Sequence, residues 1–420
     1  MGNVNIRPGH LSGVIKAPPS KSLAHRALFC AALSGKECII HNVGVNNDVK
    51  ATIACLSNMG TIFTVDGNTF TVDGRSMKTS GHLDLNCKES GATIRFSIPV
   101  AAALGLNASF YGTGNLPNRS VKEFMRILPE HGVKAFKEST EIISISGKLT
   151  GSEYRFSSKH SSQFVSGIML ALPYLKQRSV IKLSEEAFHG DHLFFTTDIQ
   201  QRFGVVPKID YNEKTVTFDE NNYSAAEYTV EGDYSLAAQY LVAGAIGDGV
   251  TIECLPARSG QPERSIVNIL SDCGAKIIQT DNFVTVSRDR LSPIDVDCAE
   301  IPHLMPILAV LSCFIDGTSR LRNCGLQHYN ESDRVTAICE GLKRFGAYID
   351  SKDGDIIIHG HGSLDGGTAH DFGDHRIAMA LSVAAAFSDC DSEIASDNTV
   401  NKSYPTFFSD FSRLGGKCRR

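Results

Sequence analysis

Along this chain, short amphipathic runs end on glycine at a nearly constant interval: Gly60, Gly132, Gly204, Gly274, Gly346 and Gly415 lie 72, 72, 70, 72 and 69 residues apart. The runs that lead to them (CLSNMG, ILPEHG, IQQRFG, ILSDCG, LKRFG and SRLGG) predict helices that stop on a left-handed residue, a conformation only glycine adopts without a Cβ penalty. After the first five glycines come two alternating segments around a polar turn, such as Thr61 to Val65 with Thr69 to Val72, and Ala347 to Ile349 with Ile356 to Ile358. That alternation predicts hairpin strands.

Six further apolar, alanine-rich runs begin near Ser22, Gly91, Ser162, Tyr234, His303 and His375, at offsets of 69, 71, 72, 69 and 72 residues. Two independent landmarks share one period, so the chain reads as a sixfold repeat. Its last unit is short, because only five residues follow Gly415. Residues 1–19 carry what reads as a strand pair, Val4 to Ile6 and Val14 to Lys16, with no helix before it. The termini are therefore expected to complete each other. Residues 1–19 and 233–420 would form one domain of three repeats and residues 20–232 the other, with a hinge near 17–20 and 230–233.

Length agrees with two domains, since 420 residues exceed what one hydrophobic core normally supports and about 200 per domain is ordinary. The N-terminal stretch has no apolar signal core, and no uncharged apolar run approaches transmembrane length, so a cytoplasmic location is expected. Twelve cysteines are scattered without a C-x-x-C pair, which suits reduced packing residues better than a disulfide framework. No zinc-type spacing points to a metal. The net charge of −5, with both signs interspersed, offers no basic face for nucleic acid and no polybasic membrane segment. Any anion binding must be local.

Local anion sites are expected at the starts of the alanine-rich helices, which open with Ser20-Lys21-Ser22, Glu89-Ser90-Gly91, Ser161-Ser162-Gln163, Asp233-Tyr234-Ser235, Pro302-His303 and Gly373-Asp374-His375-Arg376. Helix N-termini carry free N–H groups and partial positive charge. The same Ser, Asp and Gly residues are also ordinary N-caps. The basic residues beside them shift the balance: Lys21, Arg26, Arg95, Arg119, Arg334, Arg376 and Lys402 lie in or next to these starts, and most lack an acidic i+4 partner. Arginine suits bidentate recognition of phosphate and carboxylate. If the repeats pack symmetrically, three such ends per domain face one cleft, which would suit substrates carrying several negative charges.

Taken in order, Pro18-Pro19-Ser20-Lys21-Ser22 with His25-Arg26, Glu89-Ser90-Gly91 with Arg95, Ser161-Ser162-Gln163-Phe164, Glu231-Gly232-Asp233-Tyr234-Ser235, Glu331-Ser332-Asp333-Arg334, Asp374-His375-Arg376-Ile377-Ala378-Met379 and Asn401-Lys402-Ser403-Tyr404-Pro405 resemble the 5-enolpyruvylshikimate-3-phosphate synthase family. The resemblance spans nearly the whole chain. It implies a mixed α/β fold, a two-domain inside-out α/β barrel of six βαβαββ units, three per domain. It also implies transfer of an enolpyruvyl group from phosphoenolpyruvate to shikimate 3-phosphate, with no metal or organic cofactor and with these small molecules as the partners of an expected monomer. By matching motif, Lys21, Gly91, Arg119, Arg334, Arg376 and Lys402 would bind phosphoenolpyruvate. Ser22, Arg26, Ser161, Ser162, Gln163, His303 and Asn330 would bind shikimate 3-phosphate. Lys21, Glu331, His303 and His375 are the catalytic candidates, with Lys21 and Glu331 as acid/base groups.

Departures from the family pattern cluster on the acceptor side. His303 stands where the family has an Asp, Asn330 where it has a Lys, and His189-Gly190-Asp191-His192 replaces a stretch that usually supplies a Ser and a Tyr. His303 could still act as a base, since an imidazole titrates near neutral pH. Three readings stay open: the shikimate-pathway synthase, an enolpyruvyl transferase with another hydroxylated acceptor, and an anion-binding protein without turnover. The sibling enzymes that act on UDP-N-acetylglucosamine carry a cysteine on a mobile loop, and here no Cys lies between Cys87 and Cys254.

Overall fold

A computed structural model describes residues 2–156, 162–185, 188, 190–220, 222–325, 332–395 and 398–419. Among the described residues, twelve helices alternate between two kinds. The apolar kind comprises α1 (Lys21–Leu33), α3 (Gly91–Leu104), α5 (Ser162–Ala171), α7 (Tyr234–Ile246), α9 (Met305–Cys313) and α11 (His375–Ala386). The amphipathic kind comprises α2 (Asn47–Asn58), α4 (Lys122–Glu130), α6 (Gly190–Arg202), α8 (Ile266–Asp272), α10 (Arg334–Arg344) and α12 (Phe407–Arg413). Each amphipathic helix is followed by its repeat glycine, and all six have positive φ, from 81° at Gly204 to 107° at Gly60. Five apolar helices begin within a residue of the expected positions. The exception is α9, which starts at Met305 rather than His303, because Pro302, His303 and Leu304 form a turn and Pro306 occupies the first helical turn, where its missing N–H costs nothing.

Six four-stranded sheets among the described residues repeat one pairing scheme, one parallel step followed by two antiparallel ones. In one of them His82–Asn86 runs parallel to Asn107–Tyr111, which pairs antiparallel with Ile143–Gly147, itself antiparallel to Val133–Phe136. With α3 and α4 between its strands, this is a βαβαββ unit. Three units borrow a strand from far along the chain. Glu227–Thr229 lies parallel to Glu37–His41, and Val4–Arg7 lies antiparallel between Ser392–Ala395 and Lys417–Arg419.

The N-terminal strands form as expected but do not pair with each other. Gly13–Lys16 joins a different sheet, parallel to Val250–Glu253. The loop between the two strands is held by outside partners, Gly9 N donating to the Ala386 carbonyl and Ser12 N to the Leu414 carbonyl, so the chain crosses from one unit to the next instead of folding back.

The chain divides into two compact units, Met1–Pro18 with Glu231–Arg420, and Pro19–Val230. Pro19, Glu231 and Gly232 thus fall on the other side of the expected limits. Each unit has its own apolar core. The apolar helices supply most of it: every residue of α7, α9 and α11 is buried, and in α3 only Ala92 is not. A helix buried all round must be apolar all round, which is why these segments lack the amphipathic period of their neighbours. Polar residues are the exceptions, at the N-terminal ends and singly further along, as at Gln239, Ser312 and Ser382. The cysteines are all free thiols, and Cys390 alone is exposed. No helix among the described residues is long and apolar enough to cross a membrane.

Candidate active site

In the unit formed by residues 19–230, Lys21 and Arg26 lie on α1, Arg95 lies on α3, and Arg119 follows a short 3-10 turn, Leu116–Asn118. The Ser20 hydroxyl caps α1 by accepting from Leu23 N, which leaves Lys21 and Ser22 as its first two helical residues. Lys21 Nζ donates to Asp48 Oδ2 at 2.8 Å, and both side chains are largely buried. One turn further on, His25 Nδ1 is 2.7 Å from Thr52 Oγ1. Thr52 Oγ1 is 2.7 Å from Thr93 Oγ1, which in turn donates to Ser90 Oγ at 2.7 Å. Arg26 is 4% exposed and lies between the Phe96 and Phe195 rings, its carbon 5.1 and 4.7 Å from their centroids. It donates to Thr196 Oγ1, Ser166 Oγ and the Ser22 carbonyl.

Gly91 opens α3 and leaves room for a neighbouring side chain. A Cβ at that position would lie 2.6 Å from Arg119 Nη1, so the guanidinium is packed directly on the helix start. Arg95, one turn along α3, donates from Nη1 to Gln163 Oε1 at 2.7 Å and lies over the Phe164 ring. Ser162, the first residue of α5, is half-buried like Ser22.

The other unit builds a second cluster around the start of α11. Asp374 caps that helix by accepting from Arg376 N, and also accepts from Arg334 Nε at 2.7 Å, with both side chains all but inaccessible. Arg334 Nη1 is 3.3 Å from His303 Nδ1. Arg376 donates from Nη2 to Ser235 Oγ at 3.1 Å, and Ser235 donates to Asp233, the N-cap of α7, at 2.6 Å. Arg376 Nη1 is buried with no hydrogen-bond partner among the described residues. Burial, and then the nearby charge of Arg334, push the Arg376 pKa down despite the acidic Asp233, Glu263 and Asp374. Two guanidinium groups therefore share this site, where an anion would relieve both repulsion and desolvation. His375 is 1% exposed with Nδ1 3.7 Å from Asp374 Oδ1. Lys402 is half-buried and ends a short 3-10 turn, Thr399–Lys402, that packs against α11.

Of the expected site residues, Lys21, Ser22, Arg26, Gly91, Arg119, Ser162 and Gln163 fall in one unit and His303, Arg334, His375, Arg376 and Lys402 in the other. Direct contacts tie Gly91 to Arg119 and Arg334 to His303. Ser161, Glu331, Asn330 and His189 lie outside the described residues, as does the His192 side chain. Asp48, Thr52 and Thr93 were not expected from the sequence, whereas Ser235 and Asp374 were expected only as parts of helix starts and motifs, without a role of their own. The signal of the first three was faint: Asp48 and Thr52 are one turn apart on α2, as Lys21 and His25 are on α1, and only the packing of the helices makes the two pairs meet.

Residues 6–411 match the family model described as EPSP synthase (3-phosphoshikimate 1-carboxyvinyltransferase). A 3-phosphoshikimate 1-carboxyvinyltransferase of Clostridium kluyveri is 37% identical over 99% of this chain and 98% of its own length. One of Clostridium perfringens is 34% identical over the full length of both chains. A solved EPSP synthase from Acinetobacter baumannii shares the fold over 100% of both chains, with a TM-score of 0.84 at 22% identity. By its match to the family model over nearly its whole length and by its identity to these relatives, the chain belongs to the EPSP synthase family.

Proposed function

We propose that this chain transfers the enolpyruvyl group of phosphoenolpyruvate to the 5-hydroxyl of shikimate 3-phosphate and releases phosphate. The observation that carries this reading is Arg376 beside Arg334, with a buried Nη1 that lacks a partner among the described residues. A desolvated, unsatisfied guanidinium nitrogen is costly in a resting protein and is matched by a carboxylate or phosphate oxygen.

In this reading the reaction is an addition followed by an elimination. C3 of the enol takes a proton while the acceptor oxygen attacks C2 and gives up its own proton. The tetrahedral adduct then expels phosphate as a proton leaves C3. Lys21 and Glu331 are the acid/base groups. Arg119, Arg334, Arg376 and Lys402 hold the anionic donor and stabilise charge as it develops, at no reorganisation cost because they are already fixed by packing. Ser22, Arg26, Ser161, Ser162, Gln163 and Asn330 serve the acceptor, and His375 supports the Asp374 turn. The enzyme is taken to be a cytoplasmic monomer.

His303 needs a more specific role than general base. Its Nδ1 accepts from Arg334 Nη1, which puts the proton of the neutral ring on Nε2. From Nε2 it would donate to an acceptor oxygen, and removing a proton there would first require release from Arg334. This position motivates a second reading, transfer to a different hydroxylated acceptor. Nuclear magnetic resonance of the product formed from carbon-labelled phosphoenolpyruvate decides between them. An enol ether on the 5-oxygen of shikimate 3-phosphate supports the first, and no adduct with that acceptor rejects it.

A further inference from the structure

Beneath the Lys21–Asp48 ion pair, the first three helices are joined by a buried polar chain that no catalytic role explains. Lys21 and His25 are one turn apart on α1, and Asp48 and Thr52 are one turn apart on α2, so the two helices meet through two rungs. Thr93 of α3 closes the junction, with its Oγ1 2.7 Å from Thr52 Oγ1 and 3.3 Å from the Asp48 carbonyl oxygen. His25, Thr52, Thr93 and Ser90 are all fully buried.

The direction of the chain follows from its last link. Ser90 Oγ already accepts from Thr93 N as the cap of α3, and Thr93 Oγ1 donates to it as well. The Thr93 oxygen is then the acceptor for the Thr52 hydroxyl, and the Thr52 oxygen is the acceptor for His25. His25 therefore carries its proton on Nδ1. Its Nε2 has no hydrogen-bond partner among the described residues, as expected of a bare lone pair tolerated to keep the opposite nitrogen protonated.

We propose that His25 is a positioning residue for the phosphoenolpyruvate side of the site: its Nδ1–H, acting through Thr52, Thr93 and Ser90, fixes Lys21 and the Gly91 start of α3 relative to each other. This rests on the functional reading above. Arg26, the adjacent acceptor-side residue, has its own anchors in Ser166 and Thr196 from α5 and α6, so the acceptor side depends on the chain less than Lys21 and Gly91 do. A split between the two substrates follows.

The test uses full-length protein with His25→Leu, which keeps apolar volume and removes the proton, His25→Asn, whose amide N–H sits where Nδ1–H was, and Thr52→Val, which breaks the next link. His25→Leu and Thr52→Val are expected to raise KM for phosphoenolpyruvate about tenfold, the scale of a lost buried hydrogen bond, with KM for shikimate 3-phosphate changed less than about twofold. His25→Asn is expected to restore most of the loss. Equal shifts in both KM values, no shift in either, or an Asn variant no better than Leu would overturn the proposal. Nitrogen NMR of labelled wild-type protein reads it without turnover: an Nδ1–H ring that does not titrate between about pH 5 and 8 is expected, and an Nε2–H ring overturns it. Wild-type protein that shows this ring yet fails to turn over shikimate 3-phosphate would reject the functional reading alone.

Discussion

Gly91 shows how one missing atom sets the site. With no Cβ, the start of α3 lets Arg119 lie against it, and an alanine carbon 2.6 Å from Nη1 would force the guanidinium to move. Gly91→Ala should fold normally, because the side chain rather than the backbone yields. It should lower kcat/KM for phosphoenolpyruvate roughly 10- to 100-fold, the usual effect of an ångström-scale misplacement, and steady-state kinetics would show it.

His25 gives the residue scale its pH dependence. Burial, reinforced by the charges of Lys21 and Arg26 and opposed by Asp48, pushes its pKa from 6.5 down to about 3. Between those values the unfolded chain binds a proton that the folded chain does not, so stability falls as pH falls. Wild type should lose about 2 kcal/mol more than His25→Leu between about pH 7 and pH 5, read by denaturant unfolding. Equal losses would place the charged ring elsewhere.

At the scale of elements, the repeat glycines carry the fold's punctuation. Gly274 has φ of +104°, and a Cβ there would meet the Arg290 carbonyl oxygen at 2.2 Å, a backbone atom that cannot step aside. Gly274→Ala should cost about 2 kcal/mol or more. Gly35→Ala, at φ of +63° with nothing within 4 Å, should cost less, and urea unfolding of both variants compares them. These glycines, and the apolar helices between them, could be read from the chain because capping and burial are local consequences of residue type. Strand partners could not. Val4–Arg7 finds its neighbours at Ser392–Ala395 and Lys417–Arg419, and alternation in a four-residue run says nothing about a partner almost four hundred positions away. The candidate site divided the same way. Lys21, Arg334 and Arg376 stood out by motif, whereas Asp48, Thr52 and Thr93 are ordinary residues given a role only by the helices that face them.

At the scale of the molecule, residues 19–230 form a continuous segment with its own core and three complete sheets, including the Glu227–Thr229 strand that returns to Glu37–His41. Expressed alone, this segment should unfold in one cooperative step by far-ultraviolet circular dichroism. The remaining unit needs both ends of the chain, since Val4–Arg7 sits between C-terminal strands, so removing residues 1–18 should abolish its folding.

Transfer of the enolpyruvyl group from phosphoenolpyruvate to shikimate 3-phosphate is the claim on which the rest depends. Phosphate release from phosphoenolpyruvate, measured on purified protein with and without shikimate 3-phosphate, tests it most directly. One phosphate per phosphoenolpyruvate, released only when shikimate 3-phosphate is present, is the expected result. Binding of phosphoenolpyruvate without release in the presence of both substrates would contradict it.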